Sequence, residues 1–217
     1  MISLNVLDRI QGFIVYRGPS RLNGKRIVAI LTGLLDVSEN VKTGSMLQIY
    51  ILRDRISPIK ALWHGEDEAV CGDCYHRVVN GAGTCYVNPL HGPNPIYRAL
   101  KHGKYPRITL QKAAQLISGH DVRLGAYGDP VAVPIEVWEQ LLVYVNSWTG
   151  YTHQWRSKLA NGYNKFCMAS VETELAAKFA NKKGWRTFRI RENEKDLLLK
   201  NEIICPASIE AGKRLTL

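Results

Sequence analysis

The sequence predicts a mixed α/β fold, namely an irregular or partial (β/α) barrel, and three observations lead to this prediction. Strand-like and helix-like segments alternate about five times over the last hundred residues, which is typical of parallel strands joined by helical crossovers. Strand-like segments in the first half raise the expected number of strands to about eight, the number in a closed barrel. Polar and aromatic side chains follow one strand after another, where parallel folds bind their ligands. An open doubly wound sheet is the alternative architecture.

The first third of the chain is interpreted as rich in loops, because glycine, proline, serine and asparagine mark several turns. The predicted strands of this part are 26–35 and 46–54, of which the second alternates less regularly, with 85–88 as a further candidate. The loop 88–95 contains proline and glycine and should open a helix that ends at Gly103. We therefore expect a single domain over 1–217 with a loop-rich part at 1–107.

From residue 108 onward the elements are regular, and several have a recognisable start or stop. Thr109 and Pro134 suit the starts of helices, whereas Gly119 and Gly184 suit their ends. The predicted helices are 109–119, 134–148, 173–184 and 194–200, and 209–215 begins a last turn or helix. The predicted strands are 121–127 (followed by a Gly-Asp-Pro turn), 149–155, 165–172, 185–191 and 202–208. The region 108–217 should therefore wind as consecutive β-α units.

Composition and charge narrow the class of protein. The 217 residues are 46% hydrophobic, and the mean hydropathy of −0.16 is that of a folded globular chain. The sequence contains no run of about eighteen apolar residues and no basic segment followed by an apolar stretch at its start. We therefore expect no membrane span, no signal peptide and a cytoplasmic location. The net charge of +10 favours a phosphate-rich partner.

The positive charge recurs in three local groups along the chain. The groups are Arg17, Arg21, Lys25 and Arg26; Arg98, Lys101, His102, Lys104 and Arg107; and Lys178, Lys182, Lys183, Arg186, Arg189 and Arg191. Tyr97 and Tyr105 lie within the second group, and basic residues mixed with aromatics suit a groove that follows a nucleic-acid strand. The sequence thus predicts a nucleic-acid partner, DNA rather than RNA, although a solvated basic surface would show a similar pattern.

Candidate catalytic and binding residues lie within the predicted strands of the second half or directly after them. Asp129 could act as a general base or nucleophile, or it could only cap its Gly-Asp-Pro turn. His153 could be an acid/base group or a metal ligand, or a packed histidine. The candidates for contacts with substrate are Tyr127, Tyr151, Gln154, Trp155, Ser170, Glu172, Arg189 and Arg191. The aromatic members could stack on a base or belong to the core.

Three cysteines within fifteen residues, Cys71, Cys74 and Cys85, have a spacing typical of a metal site. A fourth ligand is needed, and we take Cys205 as that ligand, with His76 and His91 as alternatives. Zinc is the expected metal and an iron–sulfur cluster the second choice. A redox function of the C-x-x-C pair is less favoured because no thioredoxin-like β-α-β unit surrounds it. Three unrelated cysteines are the remaining interpretation.

Several motifs carry a resemblance to a known family. The motifs are GPS, ILTG, KTGSMLQIYILR, CGDCYHR, CYVN, VRLGAYGDP, WTGYTHQW, CMASVET, GWRTFRIR and CPAS.EAGKR. The chain resembles, over nearly its whole length, a family of uncharacterised small proteins encoded by tailed phages and plasmids, which implies a bacterial host. Members are sometimes labelled rolling-circle replication initiators, yet the His-hydrophobe-His pair of such nickases does not occur here.

A looser resemblance is to the tRNA-guanine transglycosylases and the deazapurine DNA-modification enzymes of phages. These enzymes are irregular (β/α) barrels with a zinc site and aspartate catalysis, and only the layout and Asp129 carry over. The resemblance implies chemistry on a nucleic-acid base, with Tyr127, Tyr151 and Trp155 holding an extruded base. The alternatives are a non-catalytic DNA-binding or host-interaction protein, and a metal-dependent nuclease or nickase.

Overall fold

The computed structural model describes residues 10–35, 43–191, 195–206, 208 and 211, and it has a mixed α/β fold built on one seven-stranded sheet. The strands are β1 (Gly12–Pro19), β2 (Arg26–Thr32), β3 (Leu47–Arg53), β4 (Asp121–Tyr127), β5 (Ser147–Thr152), β6 (Met168–Val171) and β7 (Thr187–Arg189). The order of the strands in the sheet is their order in the chain. β1, β2 and β3 pair antiparallel, whereas β3 to β7 pair parallel, so the sheet is mostly parallel.

Six helices connect or flank the strands of the described chain. They are α1 (Pro58–Trp63), α2 (Glu68–Cys71), α3 (Pro93–Lys101), α4 (Leu110–Leu116), α5 (Ile135–Leu141) and α6 (Glu174–Lys182). Hydroxyl groups of Ser57, Thr109 and Thr173 accept a hydrogen bond from a backbone N–H in the first turn of α1, α4 and α6. Within the described part of the chain, none of these helices has the length and apolar character that a membrane span requires.

The predicted alternation of strand and helix is found from β3 to β5 and from β6 to β7, whereas residues 153–167 between β5 and β6 form two short 3-10 helices and no α-helix; several boundaries also differ from the prediction. The predicted helix 134–148 ends at Leu141, because Asn146 and Ser147 donate hydrogen bonds to Asp121 and Ser147 begins β5 beside β4. Residues 85–88 form no strand, the described residues 195–200 no helix, and the described residues of 202–208 no strand. The interpretation of residues 209–215 lies almost wholly outside the described residues.

The sequence analysis did not predict the first strand, β1. The turn-forming residues that follow it led us to interpret the region around β1 as a loop. Phe13 and Ile14 of β1 are buried, and β1 forms a hairpin with β2 around the turn 20–25. The part called loop-rich therefore contributes three antiparallel strands to the sheet.

The two faces of the sheet differ in character. In β4, Val122 and Leu124 are buried, whereas Asp121 and Arg123 are partly exposed, as the two-residue period of a strand requires. Trp138 of α5 is fully buried in the same apolar core as Val122 and Leu124. On β4, one face thus carries the core and the other presents polar side chains, whereas residues 27–31 of β2 are buried on both faces.

One edge of the sheet gathers the carboxyl ends of β3 to β7, because these strands run parallel. β2 begins at the same edge, since Ile27 lies opposite Arg53, and β1 ends there, since Gly18 lies opposite Ile27. This edge, called the C-terminal edge below, is where parallel α/β folds bind their ligands.

Candidate metal centre

Three consecutive strands reach the C-terminal edge and are followed by chemically active side chains. Asp129 comes two residues after β4, His153 directly after β5, and Glu172 directly after β6. Gly128 has φ +83° and would place a Cβ atom 2.8 Å from the side chain and carbonyl oxygen of Ile51, so the turn before Asp129 needs glycine. These three side chains are therefore positioned by the sheet itself.

A fourth side chain, His76, comes from the irregular segment 72–92. Arg77 anchors this segment: its guanidinium donates hydrogen bonds of 2.9 and 2.8 Å to the two carboxylate oxygens of Asp67 and further bonds to the carbonyls of Gly65 and Gly72. The side chains of Arg77 and Asp67 are only 8% and 2% exposed. The segment is thus fixed by a buried, bidentate ion pair next to His76.

His76, His153 and Glu172 form the candidate metal centre. One ligand atom from each of the three lies within 4.8 Å of the others. The His76 Nε2 atom is 3.7 Å from Oε1 of Glu172, and the two imidazole rings meet edge to face with centroids 5.3 Å apart. On the other side of its ring, His76 Nδ1 is 2.7 Å from the hydroxyl of Thr84. Such a bond fixes the orientation of a ligating imidazole.

The Nε2 atoms of His76 and His153 are both buried and find no hydrogen-bond partner among the described residues. Burial of an unpaired polar atom is unfavourable by about 1–3 kcal/mol, so two such atoms at one place call for a ligand. Burial, reinforced by His76, lowers the pKa of His153 to about 4. His153 is therefore neutral at pH 7 and keeps the lone pair that a metal ion needs.

Asp129 lies behind His153 and is 5% exposed. Its Oδ1 accepts a 2.9 Å bond from the N–H of Val131, and its Oδ2 accepts bonds from the Thr152 hydroxyl (3.0 Å) and the His153 N–H (2.9 Å). Burial raises its pKa to about 6, against the effect of these donors. Oδ1 thus caps the turn after β4, and Oδ2 ties this turn to the end of β5. The Asp129 carboxylate therefore contacts the backbone of His153 directly.

The cysteines lie near this centre but are not part of the three-residue group. All five cysteines of the chain are free thiols. Burial raises the pKa of Cys71 and of Cys74, and the latter reaches about 11, with smaller contributions from Cys85. The thiols of Cys71 and Cys74 are therefore neutral at pH 7 in the metal-free protein. A zinc site at Cys71, Cys74, Cys85 and Cys205 stays a prediction.

Four of the predicted substrate residues are buried, namely Tyr127, Gln154, Trp155 and Ser170. Trp155 and Ser170 are each 3% exposed, and the Trp155 indole N–H donates to the Ser170 carbonyl, so both belong to the core. Tyr127 is 6% exposed, and its buried hydroxyl has no partner among the described residues. Gln154 is also buried and donates to the Cys71 carbonyl.

The remaining predicted substrate residues lie on β5, on β7 and after β7. The Tyr151 ring packs on Phe188 at 4.6 Å between centroids. Arg189 forms an ion pair with Glu202, with a shortest distance of 2.6 Å, so its charge is balanced within the protein. Arg191 donates to the carbonyl of Asp196. Of the predicted substrate residues, Glu172 is the one that belongs to the candidate metal centre.

Sequence reasoning named His76, His153 and Glu172 separately but did not group them. The three are separated by 76 and 18 intervening residues, and only the pairing of β5 with β6 and the fold of segment 72–92 bring them together. The only indication in the sequence was that His153 and Glu172 each lie at the end of a strand-like segment. Comparison with family models, with curated proteins and with solved structures finds no match to this chain.

Proposed function

We propose that this protein is a metal-dependent hydrolase that cleaves nucleic acid, with the metal ion held by His76, His153 and Glu172. The observation that carries the proposal is the pair of buried, unpartnered Nε2 atoms beside a carboxylate. Two imidazoles and one carboxylate with an open fourth position are the donor set of hydrolytic zinc sites. Zinc is accordingly the metal that we propose.

A zinc ion at this centre would lower the pKa of a water molecule and polarise a phosphoryl oxygen. In the reaction, the water oxygen forms a bond to phosphorus while the bond from phosphorus to the leaving oxygen breaks. The leaving oxygen takes up a proton, so water is consumed and no oxidant is needed. Thr84 orients His76, and Asp129 holds the backbone of His153, so that both imidazoles stay directed at one point.

Positive charge along the C-terminal edge supports nucleic acid as the substrate. A cavity of about 460 Å³ is lined by Arg17, Arg26, Arg55, Lys101 and Asp54; Asp54 pairs with Arg17 at 2.6 Å and with Arg26 at 3.6 Å, so the cationic side chains outnumber the one carboxylate four to one. Two basic groups that are far apart in sequence therefore meet at one place. β2 and β5 are three strands apart, which is about 14 Å at the usual spacing of strands. A nucleic-acid backbone bound at the cavity could thus extend to the metal centre.

The proposal includes the architecture and setting predicted from the sequence. We propose that the sheet is part of an irregular (β/α) barrel whose mouth is the C-terminal edge. Two features support this. The strands lie in the sheet in the order of the chain, and the Asp129 carboxylate accepts a hydrogen bond from Thr152 at the end of β5. The resemblance to phage and plasmid proteins supports a bacterial host, and five free thiols suit its reducing cytoplasm.

Modification of a DNA base, as in the transglycosylases, is the second candidate function. The observation that favours it is a cavity of about 210 Å³ on β3 and β4, which has room for one base and whose rim includes Ala126, three residues before Asp129. In this case Asp129 would need to release one of its hydrogen bonds to react. Mass spectrometry of nucleosides from treated DNA distinguishes this reaction from cleavage.

Metal binding is tested by elemental analysis of the purified protein and by thermal unfolding with added zinc. Zinc at about one hundred times its dissociation constant should raise the free energy of unfolding by about 2.7 kcal/mol. His153→Gln and Glu172→Gln should remove both the bound zinc and the stabilisation. His120→Gln, which changes an exposed histidine, is the matched control.

A variant with Cys71, Cys74 and Cys85 all changed to serine tests where the ion sits. It should retain zinc if the histidines and Glu172 are the ligands. Loss of zinc from this variant, together with retention in His153→Gln, would overturn the assignment and favour the cysteine site.

Hydrolysis is tested with end-labelled single-stranded and duplex oligonucleotides of DNA and RNA. The zinc-loaded protein should shorten at least one of these substrates, and a chelator or His153→Gln should abolish the cleavage. Zinc-loaded protein that leaves every oligonucleotide intact would refute the hydrolase.

A further inference from the structure

A cavity away from the metal centre lies between β3, β4 and the segment 86–93. Its volume is about 210 Å³, and its lining includes Gln48 and Tyr50 of β3, Arg123 of β4, and Tyr86 and Asn88 of the segment. Pockets that bury a drug-sized ligand have about 300–1,000 Å³, so this cavity is suited to a smaller group. The metal-dependent reaction proposed above uses none of these side chains.

Arg123 gives the cavity a positive charge that no described carboxylate balances. Its guanidinium donates a 2.8 Å hydrogen bond to the hydroxyl of Tyr86, and no carboxylate of the described residues lies within 4.0 Å of it. Burial raises the pKa of Tyr50 and of Tyr151 on the neighbouring strands, and the charge of Arg123 opposes this rise. A guanidinium has five N–H donors in a planar fork, so most of them remain for a phosphate group.

Aromatic rings supply a surface on which a base can stack. Tyr86 is 79% exposed although Arg123 holds its hydroxyl, so its ring adds little to the packing of the protein. Tyr50 is partly buried, and its ring lies against Gly92, where a Cβ atom would approach it to 3.3 Å. Tyrosine rings bind bases of any sequence through their faces.

Two amide side chains supply groups for the edge of a base. The Gln48 amide N–H donates to the carbonyl of Met46, which leaves its oxygen as an acceptor. The Asn88 oxygen accepts from the N–H of Leu90, which leaves its amide N–H groups as donors. One acceptor and one donor are the combination that side-chain amides use to read base edges.

We propose that this cavity binds one nucleotide of the substrate strand, with its phosphate at Arg123 and its base against Tyr50 and Tyr86. The cavity reaches Ala126, which is three residues, or about 10 Å of extended chain, from Asp129 at the C-terminal edge. A nucleotide held here would therefore position the strand relative to the metal centre. This inference rests on the proposed function for the identity of the strand.

The test is isothermal titration of the metal-free protein with adenosine 5′-monophosphate and with adenosine. The nucleotide should bind at least about tenfold more tightly than the nucleoside, because only the nucleotide has a phosphate for Arg123. Arg123→Met should remove this difference. Tyr86→Ala should weaken both ligands by about tenfold through loss of stacking. Arg156→Met, which changes an exposed arginine outside the three basic groups, is the matched control and should bind both as the parent does.

Three results would overturn the inference: no titration heat from the nucleotide at millimolar concentration, equal affinity for nucleotide and nucleoside, or unchanged binding by Arg123→Met. Failure of the proposed hydrolase would look different. His153→Gln should bind the nucleotide normally and lose zinc, whereas Arg123→Met should keep its zinc and lose the nucleotide.

Discussion

The buried ion pair between Asp67 and Arg77 should decide whether segment 72–92 holds His76 in place. Replacement of Asp67 by alanine leaves the Arg77 guanidinium in a site where its side chain is only 8% exposed. An uncompensated buried charge of this kind lowers the free energy of unfolding by about 3–5 kcal/mol. The hydrogen bonds from Arg77 to two backbone carbonyls remain and should keep the loss within this range. We therefore expect Asp67→Ala to be strongly destabilised.

The assay is urea unfolding at pH 7, with extrapolation of the free energy to zero denaturant. Lys25→Ala is the control, since Lys25 pairs with Glu66 at 3.0 Å on the surface, with 44% and 28% of the side chains exposed. Such exposed pairs contribute about 0–1 kcal/mol. The double variant Asp67→Leu with Arg77→Met replaces the pair by apolar groups and should recover most of the stability.

Zinc binding provides the functional readout of the same pair. Because Arg77 follows His76 directly, Asp67→Ala should also weaken zinc binding. The double variant should restore the stability. If the apolar pair lets segment 72–92 shift, zinc binding by the double variant should stay weak. An Asp67→Ala protein within 1 kcal/mol of the parent would refute the reasoning, and so would one that binds zinc as tightly as the parent.

Three further predictions concern the turn after β4, the strand ends and the last described segment. In the metal-free parent, the raised pKa of Asp129 makes its contribution to stability full below pH 4, and this contribution is lost as pH rises through about 6. Urea unfolding should therefore show that the parent loses up to roughly 3 kcal/mol relative to Asp129→Asn over this interval. A difference between parent and variant that does not change with pH would contradict the prediction. Gly128→Ala should lower the free energy of unfolding by at least about 1–3 kcal/mol, because φ is +83° and the new Cβ has no room; a fully stable variant in the same assay would exclude this turn geometry. Arg189→Ala should release the segment 195–206 and accelerate tryptic cleavage after Lys200, whereas Arg186→Ala, at an exposed position, should cleave at the parental rate.

Local patterns were sufficient to predict most of the regular elements. Helices α4 and α6 begin after threonines whose hydroxyls cap the first turn, and this arrangement is visible in the sequence. β1 was missed because its last residues, Gly18 and Pro19, resemble the start of a loop. Pairing with β2 stabilises it as a strand, and such pairing is a contact between segments that no local pattern contains.

The candidate site was predicted only in part, for the same reason. Strand ends indicated Asp129, His153 and Glu172, since side chains at these positions share an edge in any parallel sheet. Their roles depended on surroundings that the sequence does not show. Asp129 was expected either to react or to cap its turn, and its buried carboxylate accepts one hydrogen bond from the turn and two from the end of β5. Trp155 was expected to hold a base, but its ring lies in the core.

By itself, the sequence determined the class of fold, the basic character of the surface and the edge of the sheet at which chemistry is expected. Each of these follows from composition or from contacts a few residues apart. The tertiary structure alone decided that His76 faces His153 and Glu172. The physical reason is that segment 72–92 has no periodicity of its own. Its course is set by the buried Arg77 and by the 2.6 Å hydrogen bond from the N–H of Asp129 to the carbonyl of Val70.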